Sequence, residues 1–140
     1  MAYAREVGFD TIVERGRLAA ESLPNELVYG GFSLGAVPAQ MLAQTRPGAR
    51  GALLFHAAIP TSEFGGPWPA GVPLQIHTMA DDELGDVDVA RELVATIEGA
   101  ELFLYPGDGH LFTDRSLPVY DERAAGLVME RVLSFLEDRR

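Results

Sequence analysis

Residues 27–35 read Leu-Val-Tyr-Gly-Gly-Phe-Ser-Leu-Gly, a short apolar run followed at once by a glycine-rich turn. The run at residues 27–29 is typical of a strand, and the chain from Gly35 to about Arg46 follows a helical pattern. The turn between them fits G-x-S-x-G around Ser33, in the strand-turn-helix context in which a serine acts as a nucleophile. We expect side chains at Gly31 or Gly35 to collide with the adjoining strand and helix.

This turn places Ser33 at the N-terminus of a helix, where the helix dipole and the free N–H groups stabilise a developing oxyanion. The backbone N–H of Leu34 is the expected donor to that oxyanion. A serine hydroxyl is a weak nucleophile by itself, so a histidine and a carboxylate must lie within hydrogen-bond reach.

Three further apolar runs, at residues 52–55, 74–79 and 102–105, predict strands. Apolar stripes at helical spacing predict amphipathic helices around them. The predicted inward faces hold Phe9, Ile12, Val13, Gly16 and Ala20 in the first helix, Ala90, Leu93, Val94 and Ile97 in the third, and Ala125, Val128, Met129, Val132 and Leu136 in the last. Alternating strands and helices predict a three-layer α/β/α sandwich with a mostly parallel sheet, whose ligands bind at the carboxyl ends of the strands.

Size and composition narrow the possible functions. Residues 1–140, of which 47% are hydrophobic, are enough for a single globular domain. A formal net charge of −10 repels phosphate backbones and anionic lipids, so we expect no nucleic-acid or membrane partner. The chain has no cysteine, which excludes catalysis by a thiolate and zinc sites built on cysteine. Its sequence shows neither the pattern of a secretory signal nor an apolar stretch long enough to span a membrane. A soluble cytoplasmic protein is therefore expected.

The chain offers three histidines as the base. His110 follows the fourth predicted strand inside a glycine-rich turn at residues 107–110, which lets its side chain lean back over the sheet edge. We expect His77 to be a strand histidine satisfied by a neighbour. His56, at the carboxyl end of a strand, is a candidate pocket residue.

The acid must come from the turn after the third strand, which contains Asp81, Asp82, Glu83 and Asp86. Asp86, together with Asp88, is expected to cap the following helix instead. Whichever residue serves, the chain order of serine, acid and histidine is the order that a G-x-S-x-G nucleophile on a sheet requires.

The loop at residues 57–71 is rich in proline and glycine and cannot be regular structure. Irregular loops of this length in compact domains are often functional. Its aromatic residues, Phe64 and Trp68, are candidates for the wall of an acyl pocket, although Trp68 would equally serve to pack the loop down.

In three places the sequence resembles the dienelactone hydrolase family of α/β-hydrolases. Residues 31–36, Gly-Phe-Ser-Leu-Gly-Ala, resemble its nucleophile elbow. Residues 72–77, Val-Pro-Leu-Gln-Ile-His, resemble its next-to-last strand, and residues 105–112, Tyr-Pro-Gly-Asp-Gly-His-Leu-Phe, resemble its histidine loop. The resemblance extends from about Asp10 onward and implies the C-terminal portion of an α/β-hydrolase fold. In the family pattern the catalytic aspartate follows the Val-Pro pair by a fixed step, which lands on Asp82, with Asp81 as the fallback.

The resemblance implies hydrolysis of a small-molecule ester or lactone through a triad of Ser33, His110 and Asp82 and an acyl-enzyme, without metal or cofactor. The founding members of the family use cysteine as the nucleophile, so the dienelactone itself is not the expected substrate. Family members also carry several more strands ahead of the first helix, so we expect a partial domain without the loop that supplies the second oxyanion N–H. The sheet edge left open predicts a homodimer in which a second copy covers it.

Other interpretations remain. A catalytically impaired remnant, or a non-enzymatic interaction domain, would keep the elbow only as a tight turn. Acyl transfer to an acceptor other than water would use the same triad. A dinucleotide site is disfavoured, because residues 30–35 lack the G-x-G-x-x-G spacing and no acidic residue lies near the expected offset.

Overall fold

The computed structural model describes residues 8–139. Its regular elements are, in chain order, α1 (Phe9–Ala20), β1 (Val28–Phe32), α2 (Ala36–Thr45), β2 (Gly51–Phe55), β3 (Leu74–Met79), α3 (Val87–Thr96), β4 (Glu101–Tyr105) and α4 (Glu122–Glu137). Short 3₁₀ turns lie at Ser33–Gly35 and Thr61–Phe64.

The four strands form one parallel sheet in the order β1-β2-β3-β4. Their carboxyl ends therefore meet at one edge, where the loops that follow them carry the candidate site residues. The predicted strands are confirmed, but β1 does not stop at Tyr29. It continues through Gly30 and Gly31 to Phe32, because these residues pair in register with Leu53, Leu54 and Phe55 of β2.

Helices cover both faces of the sheet, which confirms the three-layer α/β/α sandwich. On one face, α2 and α3 pack against the sheet over strand residues such as Leu54 and Ile76, and α1 packs on α2. On the other face, α4 packs through Ala124, Val128 and Phe135. Both central strands, β2 and β3, are buried along their whole length, as their apolar composition predicted.

The first helix lies close to the second. A Cβ built on Gly16 would lie 2.6 Å from the Cβ of Pro38, so the glycine on the inward face of α1 is what allows this approach. Phe9, which was also predicted to face inward, is instead 48% exposed. It stands in the first turn of α1.

The predicted inward face of α4 is partly wrong. Val128 is buried and Val132 packs against the core, but Met129 is 59% exposed and Leu136 is 40% exposed. The helix carries two apolar stripes, and only the stripe through Ala124, Val128 and Phe135 meets the sheet.

The loop at residues 57–71 contains no regular structure beyond its 3₁₀ turn, as its prolines and glycines predicted. Two buried glutamines of α2 hold it in place. Gln40 exchanges two hydrogen bonds with the backbone of Ile59, of 2.6 and 3.0 Å, and Gln44 donates to the carbonyls of Thr61 and Gly66 at 2.9 and 2.7 Å. The loop is therefore a fixed wall at the carboxyl edge of the sheet.

Within residues 8–139, no helix has the length and apolar character needed to cross a membrane.

Candidate active site

Ser33 stands on a strained turn between β1 and α2. Its φ of 52° lies in the left-handed region, which a side chain other than glycine adopts only at some cost in free energy. The turn is tight because the carbonyl oxygen of Gly35 comes back over Gly31, where a Cβ would lie only 2.1 Å from it. Gly31 is therefore required.

The predicted collision at Gly35 is wrong. A Cβ on Gly35 would meet no atom within 4 Å, and its φ of −64° suits any residue. Only a side chain on Gly31 would clash, because it would point at the backbone carbonyl of Gly35, whereas a side chain on Gly35 would point into open space.

The side chains of Ser33, His110 and Asp82 form a continuous hydrogen-bonded chain. The Oγ atom of Ser33 lies 2.8 Å from Nε2 of His110, and Nδ1 of His110 lies 2.6 Å from Oδ2 of Asp82. With the proton on Nδ1, the serine hydroxyl donates to Nε2 and the imidazole N–H donates to the carboxylate. The structure thus brings together three residues that are far apart in the sequence.

Asp82, rather than Asp81, faces the histidine. Asp82 is 5% exposed, and its Oδ1 atom accepts a hydrogen bond of 2.9 Å from the backbone N–H of Leu84. Asp81 directs its side chain outward, while its backbone N–H donates to the carbonyl of Gly107 at 2.9 Å. That bond joins the acid turn directly to the histidine loop.

Gly85 is a structural requirement of this turn that sequence reasoning missed. A Cβ there would lie 2.5 Å from Oγ1 of Thr78 and 2.9 Å from Oδ2 of Asp82. The signal that would have revealed it is a glycine three residues after the acid, where the chain folds back over the carboxylate.

The histidine loop is anchored on β3. The backbone N–H of Gly109 donates to the sulfur of Met79 at 3.2 Å, and a Cβ on Gly107 would lie 2.9 Å from the same sulfur. Leu111 then adopts a φ of 61°, and Phe112 is fully buried. The loop therefore turns sharply on both sides of His110.

His56 does not line the pocket, contrary to expectation. It is fully buried, its Nε2 atom lies 3.0 Å from Oγ1 of Thr113, and its ring meets His110 and Phe112 edge-on. Burial, with a smaller effect of His110, lowers the pKa of His56 to about 4. It is thus a neutral packing partner beneath the histidine loop.

His77 is a satisfied strand histidine, as the sequence indicated. Its Nδ1 atom lies 2.8 Å from the hydroxyl of Tyr105 and its Nε2 atom 2.7 Å from Oε1 of Gln75. Burial, together with a smaller effect of Arg131, lowers the pKa of His77 to about 3.

A groove with a volume of about 410 Å³ opens beside the nucleophile. Ser33 and Leu34 line it, and so does Phe64, the aromatic residue that the sequence offered as a pocket candidate. Trp68 lies elsewhere, contrary to that expectation: it borders a separate surface depression with Thr96, and its Nε1–H donates to the carbonyl of Val72 at 2.7 Å. Trp68 therefore packs the loop down.

The 3₁₀ turn that begins at Ser33 leads into α2, so the backbone N–H of Leu34 belongs to the first turn of a helical segment. Such N–H groups have no acceptor within the helix. Among the described residues, no three His, Asp or Glu side chains lie close enough together to hold a metal ion.

A model of the dienelactone hydrolase family matches residues 8–139. The chain belongs to the dienelactone hydrolase family. This family assignment confirms the resemblance to that family which the sequence showed.

Solved structures of α/β-hydrolase fold share its architecture. A dienelactone hydrolase-like promiscuous phosphotriesterase from metagenomic libraries is 16% identical, with a TM-score of 0.66 over 98% of this chain and 64% of its own. The mouse alpha/beta hydrolase domain-containing protein 10 is 11% identical, with a TM-score of 0.70 over 93% of this chain and 70% of its own. The Bacillus cereus carboxylesterase is 18% identical, with a TM-score of 0.56 over 91% of this chain and 59% of its own.

No curated protein sequence is significantly similar to the chain. The chain spans 57–64% of the dienelactone hydrolase-type structures that it matches.

Proposed function

We propose that this dienelactone hydrolase family member cleaves carboxylic esters or lactones through an acyl-enzyme on Ser33. The observation that carries the proposal is the unbroken chain of short contacts from Ser33 Oγ through His110 to the buried carboxylate of Asp82. A histidine held between a serine hydroxyl and a carboxylate is the arrangement that activates serine as a nucleophile.

In the proposed reaction, Ser33 Oγ attacks the carbonyl carbon while His110 Nε2 takes the hydroxyl proton. Asp82 keeps the other imidazole proton on Nδ1 and stabilises the imidazolium that forms. The oxyanion of the tetrahedral intermediate receives a hydrogen bond from the N–H of Leu34. His110 then returns its proton to the departing alkoxide. In the second half of the reaction, His110 takes a proton from the water that attacks the acyl-enzyme and gives it to the Oγ atom of Ser33 as the acid product leaves.

Covalent labelling tests the nucleophile. A fluorophosphonate should add one probe mass to the purified wild-type chain, and the adduct should be lost in Ser33→Ala and in His110→Ala. Ser134→Ala is the matched control, because Ser134 is an exposed serine on α4. A folded wild-type chain that takes up no probe would instead favour the impaired remnant or the non-enzymatic interaction domain.

Ester turnover tests the acid. Asp82→Asn should lower kcat by roughly 10³–10⁴-fold, because an amide stabilises the wrong imidazole tautomer. Asp81→Asn, one residue away and directed outward, should retain wild-type turnover. Equal losses in both variants would contradict the assignment of the acid.

Product analysis in the presence of added alcohols or thiols separates hydrolysis from acyl transfer.

A further inference from the structure

The groove beside Ser33 has an unusual combination of walls. Most of the residues that line it are apolar, Val37, Ile59 and Phe64 among them. Three carboxylates, those of Asp10, Glu63 and Asp86, also border it, and none of the described residues that line it carries a positive charge.

The groove carboxylate nearest in sequence to the candidate triad is that of Asp86, which lies four residues after Asp82. It precedes α3 at the position where an aspartate normally caps the helix, yet its side chain makes no capping bond. Its φ of 54° instead turns the residue into the left-handed region. Burial raises the pKa of Asp86, although its carboxylate accepts a hydrogen bond from the backbone N–H of Ala58 in the groove wall. Asp82 and His110 also act on this carboxylate electrostatically.

A second, independent feature makes this groove a ligand site. The hydroxyl of Ser33, hydrogen-bonded to His110, opens into it, so the part of a substrate next to the reacting carbonyl must lie between these walls. The three carboxylates therefore act on a bound substrate, and not only on solvent.

We propose that this groove favours esters whose group beside the carbonyl is apolar and positively charged over neutral esters of the same shape, and that it disfavours carboxylate-bearing esters. The proposal rests on the proposed function of Ser33 as the nucleophile. Apolar walls bind hydrocarbon, while uncompensated negative charge attracts a cation and repels an anion. The formal net charge of −10 acts in the same direction at longer range.

Two series of matched substrates test this. The first contains three thioacetates: acetylthiocholine, the neutral neohexyl thioacetate of the same shape, and S-acetyl mercaptopropionate. The released thiol is measured with a disulfide reagent, and the chain has no cysteine to react with it. The second series places the same three kinds of group at the end of the acyl chain of para-nitrophenyl esters. Together, the series sample both sides of the carbonyl.

In at least one series we expect kcat/KM to fall from the cationic to the neutral to the anionic substrate, by about fivefold at each step in dilute buffer. The differences should shrink as salt screens the charges. Equal rates for the cationic and neutral members in both series, or fastest turnover of the anionic member, would refute the proposal.

Asp86→Asn removes one groove charge without changing shape, and asparagine tolerates the left-handed conformation of this residue. It should lower the ratio of cationic to neutral kcat/KM. Asp88→Asn is the matched control, because Asp88 lies two residues further on in α3 and does not border the groove. An unchanged ratio in Asp86→Asn, or an equal drop in Asp88→Asn, would contradict the role of Asp86.

These outcomes separate the substrate preference from the reaction itself. Turnover that ignores substrate charge refutes the preference alone. No turnover in either series, together with no fluorophosphonate adduct on Ser33, refutes the proposed function and the preference with it.

Discussion

Gly31 and Gly35 flank the nucleophile symmetrically in the sequence, yet they differ in what surrounds them. A methyl group on Gly31 would lie 2.1 Å from the carbonyl oxygen of Gly35, whereas one on Gly35 would meet open space. The contact on Gly31 is with backbone, so it cannot be relieved by a side-chain rotation. The two positions therefore form a natural matched pair.

We expect Gly31→Ala to distort the elbow and destabilise the fold by about 1–3 kcal/mol, the usual cost of overpacking a tight site. Gly35→Ala should leave the free energy of unfolding within about 0.5 kcal/mol of wild type. Urea denaturation of both variants, with fluorophosphonate labelling of each, measures the two effects. Similar losses at both positions would contradict the one-sided clash.

The two buried histidines predict a pH-dependent stability. Burial lowers the pKa of His56 to about 4 and that of His77 to about 3, against an ordinary value of about 6.5 in the unfolded chain. Between these values the unfolded state binds more protons than the folded state. The free energy of unfolding should therefore decrease as pH falls below about 6.5, by up to about 1.4 kcal/mol per pH unit for each histidine.

Urea midpoints at about pH 7 and pH 5 measure this effect, with His77→Gln as the comparison because it removes one titrating group. The variant is expected to be less stable at neutral pH, since His77 bonds Tyr105 and Gln75, but to lose less stability on acidification. An equal loss on acidification in wild type and variant would show that His77 does not contribute to the pH dependence.

At the level of elements, α4 shows how an amphipathic pattern can mislead. Its sequence offers two apolar stripes, and a helical period alone cannot decide which of them meets the sheet. The structure buries Phe135, which is 3% exposed and fills the space above Gly51. The neighbouring Leu136 is 40% exposed.

Truncation of these two neighbours separates the stripes. Phe135→Ala should cost about 3–5 kcal/mol of unfolding free energy because it leaves a cavity in the core. Leu136→Ala should cost less than about 1 kcal/mol, since it removes only partly exposed surface. Denaturant unfolding of both variants gives the comparison, and a larger loss at Leu136 would mean that the second stripe is covered.

At the scale of the whole molecule, the sheet has two unpaired edge strands, β1 and β4, within the part of the chain that the structure describes. Strand β1 has a partner on its β2 side only. Beside its end, Phe32 is 53% exposed and borders a cavity of about 490 Å³ with Met129 of α4. An unpaired strand edge next to exposed apolar side chains favours association.

A homodimer through this edge stays a prediction, and a two-fold axis beside β1 would let the edges of two copies pair with each other. Sedimentation should then show dimers that dissociate in Met129→Glu. Leu18→Glu makes the same change at a 52% exposed leucine of α1 and should remain dimeric. A wild-type monomer at all concentrations would refute the prediction.

The amino-acid sequence by itself determined the parallel α/β order, the serine elbow and the chain order of the candidate triad, because these follow from local apolar runs, turn chemistry and motif spacing. Only the tertiary structure decided which stripe of α4 is buried, that Trp68 packs away from the groove, that His56 lies beneath the histidine loop, and that Asp86 turns toward Ala58 rather than capping its helix. Each of these depends on contacts between residues distant in the chain, and no local pattern specifies such contacts.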